Sequence, residues 1–292
     1  MSSGVSVVIL AAGLGTRMKS SLAKVLHRAG GASLIEHVVR AALAVAPPER
    51  IVVVTGHQAA DVEAAVAHHR VRFQLQAEQK GTGHALAVCR SQPGLDSGLL
   101  LVLYGDCPLL QPSTLLRLVE THRASGAAAT VLTTHLPDPS GYGRILRDPQ
   151  GRIAAIVEQK DATPEQLSVN EINSGIYCFD AAALWPRLER LQPSPATGEL
   201  YLTDCIALLR ADGLFSVPFT IDNPAEVLGI NTRADLAEAD RILRARKAHS
   251  LMLSGVTIEK PETVSIDLDA EIGQDSVIGP FAQLLGATRV GP

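Results

Sequence analysis

Residues 5–24 read Val-Ser-Val-Val-Ile-Leu-Ala-Ala-Gly-Leu-Gly-Thr-Arg-Met-Lys-Ser-Ser-Leu-Ala-Lys. The apolar run that opens this stretch predicts a buried strand, and the chain then turns at once into glycines and cations. Gly13 and Gly15 can adopt positive φ and bring the backbone close to a ligand, so that successive amides converge on an anion. Arg17, Lys19 and Lys24 add positive charge. The stretch therefore predicts a phosphate-binding turn after a strand.

Two well-known phosphate-binding templates do not fit this turn. The Walker pattern closes with Gly-Lys-Ser/Thr, whereas this chain has Gly15-Thr16-Arg17. The dinucleotide fingerprint needs a third glycine where Met18 stands. The stretch instead resembles the signature of sugar nucleotidyltransferases, Leu-Ala-Ala-Gly-x-Gly-Thr-Arg-Met followed by Pro-Lys, with Ala23 in place of the proline.

Length and composition indicate a folded chain without nucleic-acid or membrane partners. The 292 residues allow one large domain or two, and 46% of them are hydrophobic, which argues against disorder. The formal charge of −4, without a basic block, gives no general attraction to nucleic acid. Neither a bilayer-spanning apolar run nor a leader segment is recognised, so a cytoplasmic protein is expected. Four widely spaced cysteines indicate reduced, buried thiols.

The first half of the chain alternates between apolar β-rich runs and helical patterns, which predicts parallel βαβ units with helices on both faces. Predicted strands cover residues 5–10, 51–55, 71–75, 99–103 and 128–134, and predicted helices cover 59–68, 82–90 and 112–123. Ser33 and Glu36 have the spacing of a capping box at the start of another helix. Because ligands bind at the carboxyl ends of strands in such sheets, the segments after the strands are the candidate site.

The segment after the third strand is Gln76-Ala-Glu-Gln79-Lys-Gly81-Thr82-Gly-His-Ala. Its ordinary interpretation is a glycine-rich start of a helix with solvated glutamines. Its functional interpretation is recognition of a base, because a carboxamide offers a donor and an acceptor that match the imide edge of uracil or thymine. Next to a phosphate-binding turn, we favour the second interpretation.

Two further segments suggest a metal site. Asp106 follows the fourth strand within Tyr104-Gly105-Asp106-Cys-Pro, where it can bind a divalent cation or form an Asx turn or helix cap. Asn231 precedes a helix predicted over residues 234–250, where it can act as an N-cap or as a second metal ligand. In front of the phosphate-binding turn, we favour the metal at Asp106.

The middle of the chain contains candidate sugar-binding residues. A hairpin is predicted from residue 144 to 159, and an alternating strand covers residues 170–179. Glu158, Asn173 and the amide of Gly143 can together bind sugar hydroxyls and an N-acetyl group. Each alone is an ordinary turn or strand-end residue. Helices at 180–191 and 203–211 and a strand at 215–220 follow.

The end of the chain carries an internal repeat. Ile266, Ile272, Ile278, Leu284 and Val290 recur every six residues, and glycine follows three of them. This period fits neither a helix nor a two-faced strand and is typical of hexapeptide β-helices. Because so short a solenoid exposes an apolar end, it is expected to be the beginning of a longer domain.

The motifs occur in one order: the N-terminal loop, Gln-x-x-Gln-x-Gly-Thr-Gly-His-Ala, Tyr-Gly-Asp-x-Pro-Leu, Gly-Tyr-Gly-Arg-Ile, Glu-Gln-Lys-Asp-Ala, Glu-Ile-Asn-Ser-Gly-Ile, Gly-Ile-Asn-x-Arg and the hexapeptide repeat. Over nearly its whole length the chain resembles the bacterial bifunctional N-acetylglucosamine-1-phosphate uridylyltransferase/glucosamine-1-phosphate N-acetyltransferase family. The resemblance implies an α/β fold with three parts: a Rossmann-like nucleotidyltransferase domain with a mixed, mostly parallel sheet (1–230), a linker helix (231–253) and the start of a left-handed β-helix (254–292). It also implies a homotrimer for the full-length family member, and acetyl transfer only in a longer chain, because the acetyltransferase domain here is truncated near its start.

The resemblance further implies a reaction and a site. UTP and N-acetylglucosamine 1-phosphate would give UDP-N-acetylglucosamine and pyrophosphate, with Mg²⁺ as cofactor, for synthesis of the cell-wall precursors of peptidoglycan and lipopolysaccharide. Asp106 and Asn231 would hold the metal, and Arg17 and Lys24 would be catalytic. The implied substrate-binding residues are Leu10, Ala11, Ala12, Gly13, Lys24, Gln76, Gly81, Thr82, Tyr104, Gly105, Asp106, Gly143, Glu158, Asn173 and Asn231.

Two alternative functions remain at this stage. The first is another nucleotidyltransferase of the same fold that uses a different base or sugar phosphate. The segment around Gln76 and the hexapeptide repeat argue against this alternative. A non-catalytic sugar-nucleotide sensor would lack the metal ligands, whereas both proposed ligands and both cations are present.

Overall fold

The computed structural model describes residues 4–291. The strands are β1 (Val5–Leu10), β2 (Arg28–Ala29), β3 (Ala32–Ser33), β4 (Ile51–Thr55), β5 (Arg72–Leu75), β6 (Leu99–Tyr104), β7 (Ala129–His135), β8 (Arg144–Arg147), β9 (Ile153–Val157), β10 (Glu171–Asp180), β11 (Ser216–Thr220), β12 (Thr257–Ile258), β13 (Ser265–Ile266), β14 (Glu271–Ile272), β15 (Val277–Ile278), β16 (Gln283–Leu284) and β17 (Arg289–Val290). The α-helices are α1 (Leu34–Leu43), α2 (Ala59–Val66), α3 (Thr82–Ala87), α4 (Pro112–Ser125), α5 (Pro164–Leu167), α6 (Ala181–Leu188), α7 (Asp204–Ala211) and α8 (Arg233–Leu253).

The predicted elements are present with small changes at their ends. Each of the five strands predicted in the first half begins within one residue of its predicted start. Helix α3 ends at Ala87 rather than at residue 90, because the amides of Cys89 and Arg90 bond to carbonyls three residues back and tighten the last turn. Helix α8 continues to Leu253 instead of ending near residue 250.

Within residues 4–291, nine strands form one sheet, whose main path runs β11-β7-β10-β6-β1-β4-β5. On this path β10 alone runs antiparallel to its neighbours β6 and β7, and the other six strands share one direction. The predicted mixed, mostly parallel sheet is therefore confirmed. Strand β7 does not extend a continuous parallel series after β6, because β10 lies between them. The β8–β9 hairpin joins the sheet through β10.

Helices cover both faces of the sheet, as the alternation of strands and helices predicts. All six residues of β1 are buried, because a central parallel strand is covered on both sides. Its side chains alternate: Val7 and Ile9 pack with α1, α2 and α4, whereas Val8 and Leu10 pack with α3, α6 and α7. The loops at the ends of β1 and its neighbours are thus held between two apolar layers.

The hexapeptide repeat forms short strands in parallel pairs: β12 with β15, β13 with β16, and β14 with β17. Ser265 lies opposite Gln283 and Glu271 lies opposite Arg289, so these two pairs join residues three repeats apart. The repeating side chains of Ile266, Ile272, Ile278 and Leu284 share one apolar cluster with α8. The predicted domain limits 1–230 and 254–292 include residues 1–3 and 292, which lie outside the described residues.

A glycine turn between β2 and β3 contacts α8 and this tail. The amide of Gly30 donates to Asp240 Oδ1 on α8 at 2.7 Å, and its carbonyl accepts from the amide of Leu268 at 2.9 Å. Arg244 of α8 also pairs with Asp267 at 2.7 Å. These contacts fix α8 and the first tail strands against the β2–β3 turn.

Candidate active site

A cavity of about 580 Å³ opens where β1, β5 and β6 end. The carboxyl ends of parallel strands meet at one edge of a sheet, which is where the sequence places the candidate segments. Most of the predicted site residues line this cavity, namely Leu10, Ala11, Ala12, Gly13, Arg17, Lys24, Gln76, Gly81, Thr82, Tyr104, Asp106 and Asn231. Four predicted residues stand outside the lining: Gly105, Gly143, Glu158 and Asn173.

The loop after β1 is anchored at both ends and open in the middle. The amide of Ala11 bonds to the carbonyl of Val54 at 2.9 Å, and Met18 is almost fully buried. Gly15 has a φ of 61°, and a Cβ there would lie 2.5 Å from Lys24 Cβ, so a side chain would displace the lysine. The positive φ predicted for Gly13 is wrong: only Gly15 of the two adopts it, while a Cβ at Gly13 would meet open space.

A second wall of the cavity contains a fixed carboxamide. Gln76 is 3% exposed, and its Nε2 lies 3.2 Å from the carbonyl oxygen of Gly81 and 3.0 Å from His84 Nδ1. Its backbone amide donates to the carbonyl of Thr55 at 2.8 Å. The interpretation of Gln76 as a solvated glutamine is therefore wrong. A group held this way keeps a single orientation toward the cavity and loses little entropy when it binds a ligand.

Tyr104 links the cavity to a neighbouring polar group. Thr82 lines the cavity with Tyr104, and Thr82 Oγ1 accepts from the amide of Leu202 at 3.1 Å. Burial raises the pKa of Tyr104 far above its usual range, so the phenol stays neutral. Gly175 packs against the ring, where a Cβ would lie 2.6 Å from the nearest ring carbon.

The proposed metal ligands, Asp106 and Asn231, lie beside each other in the cavity lining. The ammonium of Lys24 donates to Asp106 Oδ2 and lies 3.2 Å from Asn231 Oδ1. Arg17 Nη2 donates to the same Asn231 oxygen at 2.8 Å. A carboxylate oxygen and an amide oxygen thus converge on one cationic group. Hard oxygen donors of this kind suit Mg²⁺, so the residues present fit the ion.

The local backbone explains why both side chains point inward. Thr232 and Asp235 form the capping box of α8, so the alternative assignment of Asn231 as the N-cap is wrong. Asn231 Nδ2 donates to the carbonyl of Gly229 at 3.0 Å, which turns Oδ1 toward the cavity. The amide of Ile230 donates to the carbonyl of Asp106 at 2.9 Å and joins the two segments. Neither the Asp106 side chain nor the Asn231 side chain caps a helix.

Gly143, Glu158 and Asn173 form a second group beside the cavity. The amide of Asn173 donates to the carbonyl of Gly143 at 2.9 Å, and a Cβ on Gly143 would lie 3.5 Å from Glu158 Oε2. Glu158 Oε1 accepts from Thr203 Oγ1 at 3.2 Å. Burial, followed by the nearby carboxylate of Asp204, raises the pKa of Glu158 despite that bond. The predicted grouping is present, and it adjoins Tyr104 of the cavity lining, because Gly175 in the same strand as Asn173 packs against the Tyr104 ring.

Gly105 lies behind the wall rather than in it. Its amide donates to the carbonyl of Leu10 at 2.9 Å, and a Cβ would lie 3.1 Å from that of Ala11. The residue therefore holds the ends of β1 and β6 together.

The sequence did not indicate Glu199, which also lines the cavity. The loop that carries it is joined to the start of α3, because the amide of Leu200 donates to the carbonyl of Lys80 at 2.9 Å and that of Gly83 donates to the carbonyl of Leu200 at 2.8 Å. No local pattern marks these long-range bonds. Leu14, Thr16, Val25, Gln79 and Ala85 complete the lining beside Gly15.

Known proteins with similar sequences support a site of this kind. The model of the MobA-like NTP transferase domain family matches residues 7–211. The bifunctional protein GlmU of Solibacter usitatus is 53% identical over 287 residues, which are 98% of this chain and 61% of that protein. The bifunctional protein GlmU of Koribacter versatilis is 47% identical over 289 residues, again 98% and 61%. The chain thus spans about three fifths of the length of these relatives.

A solved structure shares the fold. A crystal structure of a putative glucose-1-phosphate thymidylyltransferase from Bacillus anthracis, in complex with sucrose, superposes with a TM-score of 0.63 at 22% identity, covering 82% of this chain and 96% of that one. Separately, none of the helices in residues 4–291 combines the length and apolar character that a membrane span requires.

Proposed function

Because the chain belongs to the MobA-like NTP transferase domain family, we propose that it is a uridylyltransferase that makes UDP-N-acetylglucosamine and pyrophosphate from UTP and N-acetylglucosamine 1-phosphate. The observation that carries this proposal is the convergence of Lys24, Asp106 and Asn231 in one cavity with the glycine loop and Gln76. Cations, hard oxygen ligands and a fixed carboxamide are the groups that a pyrimidine triphosphate needs.

The nucleotide is held from two sides in this proposal. The carboxamide of Gln76 contacts the uracil edge through Oε1, which can accept from the imide N–H, because Gly81 and His84 already engage its Nε2. The open amides around Gly13, together with Arg17 and Lys24, bind the phosphate groups. Asp106 and Asn231 hold Mg²⁺, which when bound neutralises charge on phosphate oxygens.

The sugar phosphate binds beside Tyr104 in this proposal. Glu158, Asn173 and the amide of Gly143 offer the mixed donors and acceptors that hydroxyls and an N-acetyl group require. The raised pKa of Glu158 stems mainly from burial, and a hydroxyl that donates to this half-buried carboxylate would stabilise it.

The reaction is an in-line displacement at phosphorus. A phosphate oxygen of the sugar ester forms a bond to the α-phosphorus while the bond from that phosphorus to the pyrophosphate oxygen breaks. The attacking oxygen is already anionic at neutral pH, so the chain needs no base to activate it. Positioning and neutralisation of charge by Lys24, Arg17 and the loop amides then supply most of the catalysis.

We further propose that the chain divides at residues 230 and 253 into a nucleotidyltransferase domain, a linker helix and the start of a left-handed β-helix. The parallel pairing of strands three repeats apart supports this division. Acetyl transfer and trimer formation would belong to a longer chain, and the product would feed synthesis of peptidoglycan and lipopolysaccharide.

Release of pyrophosphate tests the proposal directly. UTP, dTTP, CTP and GTP are each incubated with Mg²⁺ and either N-acetylglucosamine 1-phosphate or glucose 1-phosphate. We expect the highest kcat/KM for UTP with N-acetylglucosamine 1-phosphate. A higher value for another pair assigns a different nucleotidyltransferase, and binding of the sugar nucleotide without turnover of any pair assigns a sensor.

A further inference from the structure

Three potential metal ligands meet outside the cavity, where α1 packs against α2 and Glu36 of α1 contacts the 3₁₀ turn Ala67–His69 that follows α2. His69 Nε2 lies 2.8 Å from Glu36 Oε1, and His68 Nε2 lies 3.5 Å from the same oxygen. The three ligand atoms all lie within 4.8 Å of one another. None of these residues belongs to the nucleotide or sugar groups described above.

The spacing of these atoms suits a tetrahedral ion. In a zinc site with bonds of about 2.0–2.1 Å, neighbouring ligand atoms lie about 3.3–3.4 Å apart. The two distances from Glu36 Oε1 fall on either side of this value. Two imidazole nitrogens and one carboxylate oxygen are also a common set of zinc ligands that leaves the fourth position free.

The second carboxylate oxygen of Glu36, Oε2, is buried without a hydrogen-bond partner among the described residues. The side chain of Glu36 as a whole is only 7% exposed. Ser33 caps α1 by accepting from the amide of Glu36, but the Glu36 carboxylate turns toward Arg40 and His69 instead of completing the capping box. A buried, unpaired carboxylate oxygen costs free energy that a bound cation would recover.

The cation nearest to Glu36, Arg40, also contacts a second carboxylate. Arg40 donates to Glu36 Oε1 at 2.6 Å and to both oxygens of Asp269 at 2.7 and 3.1 Å. One guanidinium is thus shared by two carboxylates, so it does not neutralise Glu36 alone.

We propose that Glu36, His68 and His69 form a second metal site that binds Zn²⁺ or a similar late first-row divalent ion. The imidazole of His68 is 59% exposed, so ions reach the site from solvent and water takes the fourth position. Imidazole ligands favour zinc over Mg²⁺, which separates this site from the oxygen ligands Asp106 and Asn231. The ion joins α1 to the turn after α2 and stabilises the folded chain, because binding favours the state that contains the site.

The test uses the tag-free full chain with excess Mg²⁺, which saturates the oxygen site. Zn²⁺ binding is measured by calorimetry, Co²⁺ binding by the visible absorption of a tetrahedral complex, and stability by Tm. We expect one site in the wild type. His68→Gln and His69→Gln should each weaken binding at least about tenfold, the loss that even an outer partner of a metal ligand causes. Both should remove the rise in Tm with Zn²⁺.

His249→Gln is the matched control, because His249 is exposed on α8, away from the cluster. It should bind Zn²⁺ like the wild type. A substitution at buried Glu36 could prevent folding. His68→Gln changes an exposed side chain and should fold normally, so it tests the site even in that case. Equal affinities in the wild type and the His68→Gln/His69→Gln double variant would overturn the proposal. Displacement of the bound Zn²⁺ by Mg²⁺, or no binding, would overturn it too.

Discussion

Lys24 and Asp106, 82 positions apart in the chain, form an ion pair on the cavity wall, and each side chain is only 15% exposed. The same ammonium lies 3.2 Å from Asn231 Oδ1, so a cation of the protein itself holds the two oxygens proposed to bind Mg²⁺. Under our proposal, a bound metal replaces the ammonium, and Lys24 becomes free to bind phosphate. The two binding events should therefore be linked, each favouring the other.

Asp106→Ala should abolish turnover and leave the fold intact. We expect kcat to fall at least about a thousandfold, which corresponds to roughly 4 kcal/mol of transition-state stabilisation. Pyrophosphate release at saturating Mg²⁺ measures the loss, and circular dichroism during heating checks the fold. Asp222→Ala, at an exposed aspartate outside the cavity lining, is the control. Near-normal activity of Asp106→Ala at high Mg²⁺ would refute the metal role.

Arg17→Ala should lower kcat about a hundredfold, roughly 2.7 kcal/mol, because its charge is proposed to stabilise the departing pyrophosphate. Arg17 is exposed, so its removal should change the unfolding free energy little. Steady-state kinetics with varied UTP separates kcat from KM. Lys19→Ala, a nearby exposed cation outside the lining, should remain active. A change confined to KM would show that Arg17 contributes only to binding.

Gly15→Ala and Gly13→Ala form a matched pair that tests the loop geometry. At Gly15 the positive φ and the contact with Lys24 Cβ should cost about 1–3 kcal/mol of unfolding free energy and also lower kcat. At Gly13 a Cβ meets open space, so stability should change by less than about 0.5 kcal/mol while the KM for UTP rises. Denaturant unfolding and kinetics measure both. Equal destabilisation of the two variants would contradict the geometry.

Glu158→Gln should raise the stability of the folded chain and weaken its binding of the sugar phosphate. The pKa of Glu158 is raised mainly by burial, so the folded state binds its proton more tightly than the unfolded state does. Protonated Glu158 therefore contributes fully to the stability of the wild type below pH 4.5, the ordinary pKa in the unfolded state. That contribution is lost as pH rises through the higher pKa of the folded state. The Tm advantage of Glu158→Gln should therefore grow from pH 4.5 to pH 8, as calorimetry can follow.

The same variant should raise the KM for the sugar phosphate about tenfold, since a hydrogen bond to a charged group contributes roughly 1.5–3 kcal/mol. The KM for UTP should hardly change. An unchanged KM for both substrates would remove Glu158 from the sugar site.

The sequence predicted the strands and helices, and it predicted that Asp106 and Asn231 lie at one site. Both predictions depend on local patterns, because Asp106 follows a strand and Asn231 precedes a helix. It failed where partners are distant. The place of β10 between β6 and β7 depends on pairing of Tyr177 with Val102 and Val131, which periodicity cannot reveal. Glu199 was missed for the same reason. The catalytic and binding roles of the site residues stay predictions, and so does the left-handed β-helix.

The position of β10 also shapes how the chain is made. When a ribosome has produced β7, β6 can pair with β1 but not with β10, and β7 cannot yet join the sheet, because residues 171–180 have not been synthesised. At about 5–20 residues per second, the nascent chain spends several seconds with these strand edges unpaired. Chaperone dependence during translation should therefore be greatest while residues 136–180 emerge.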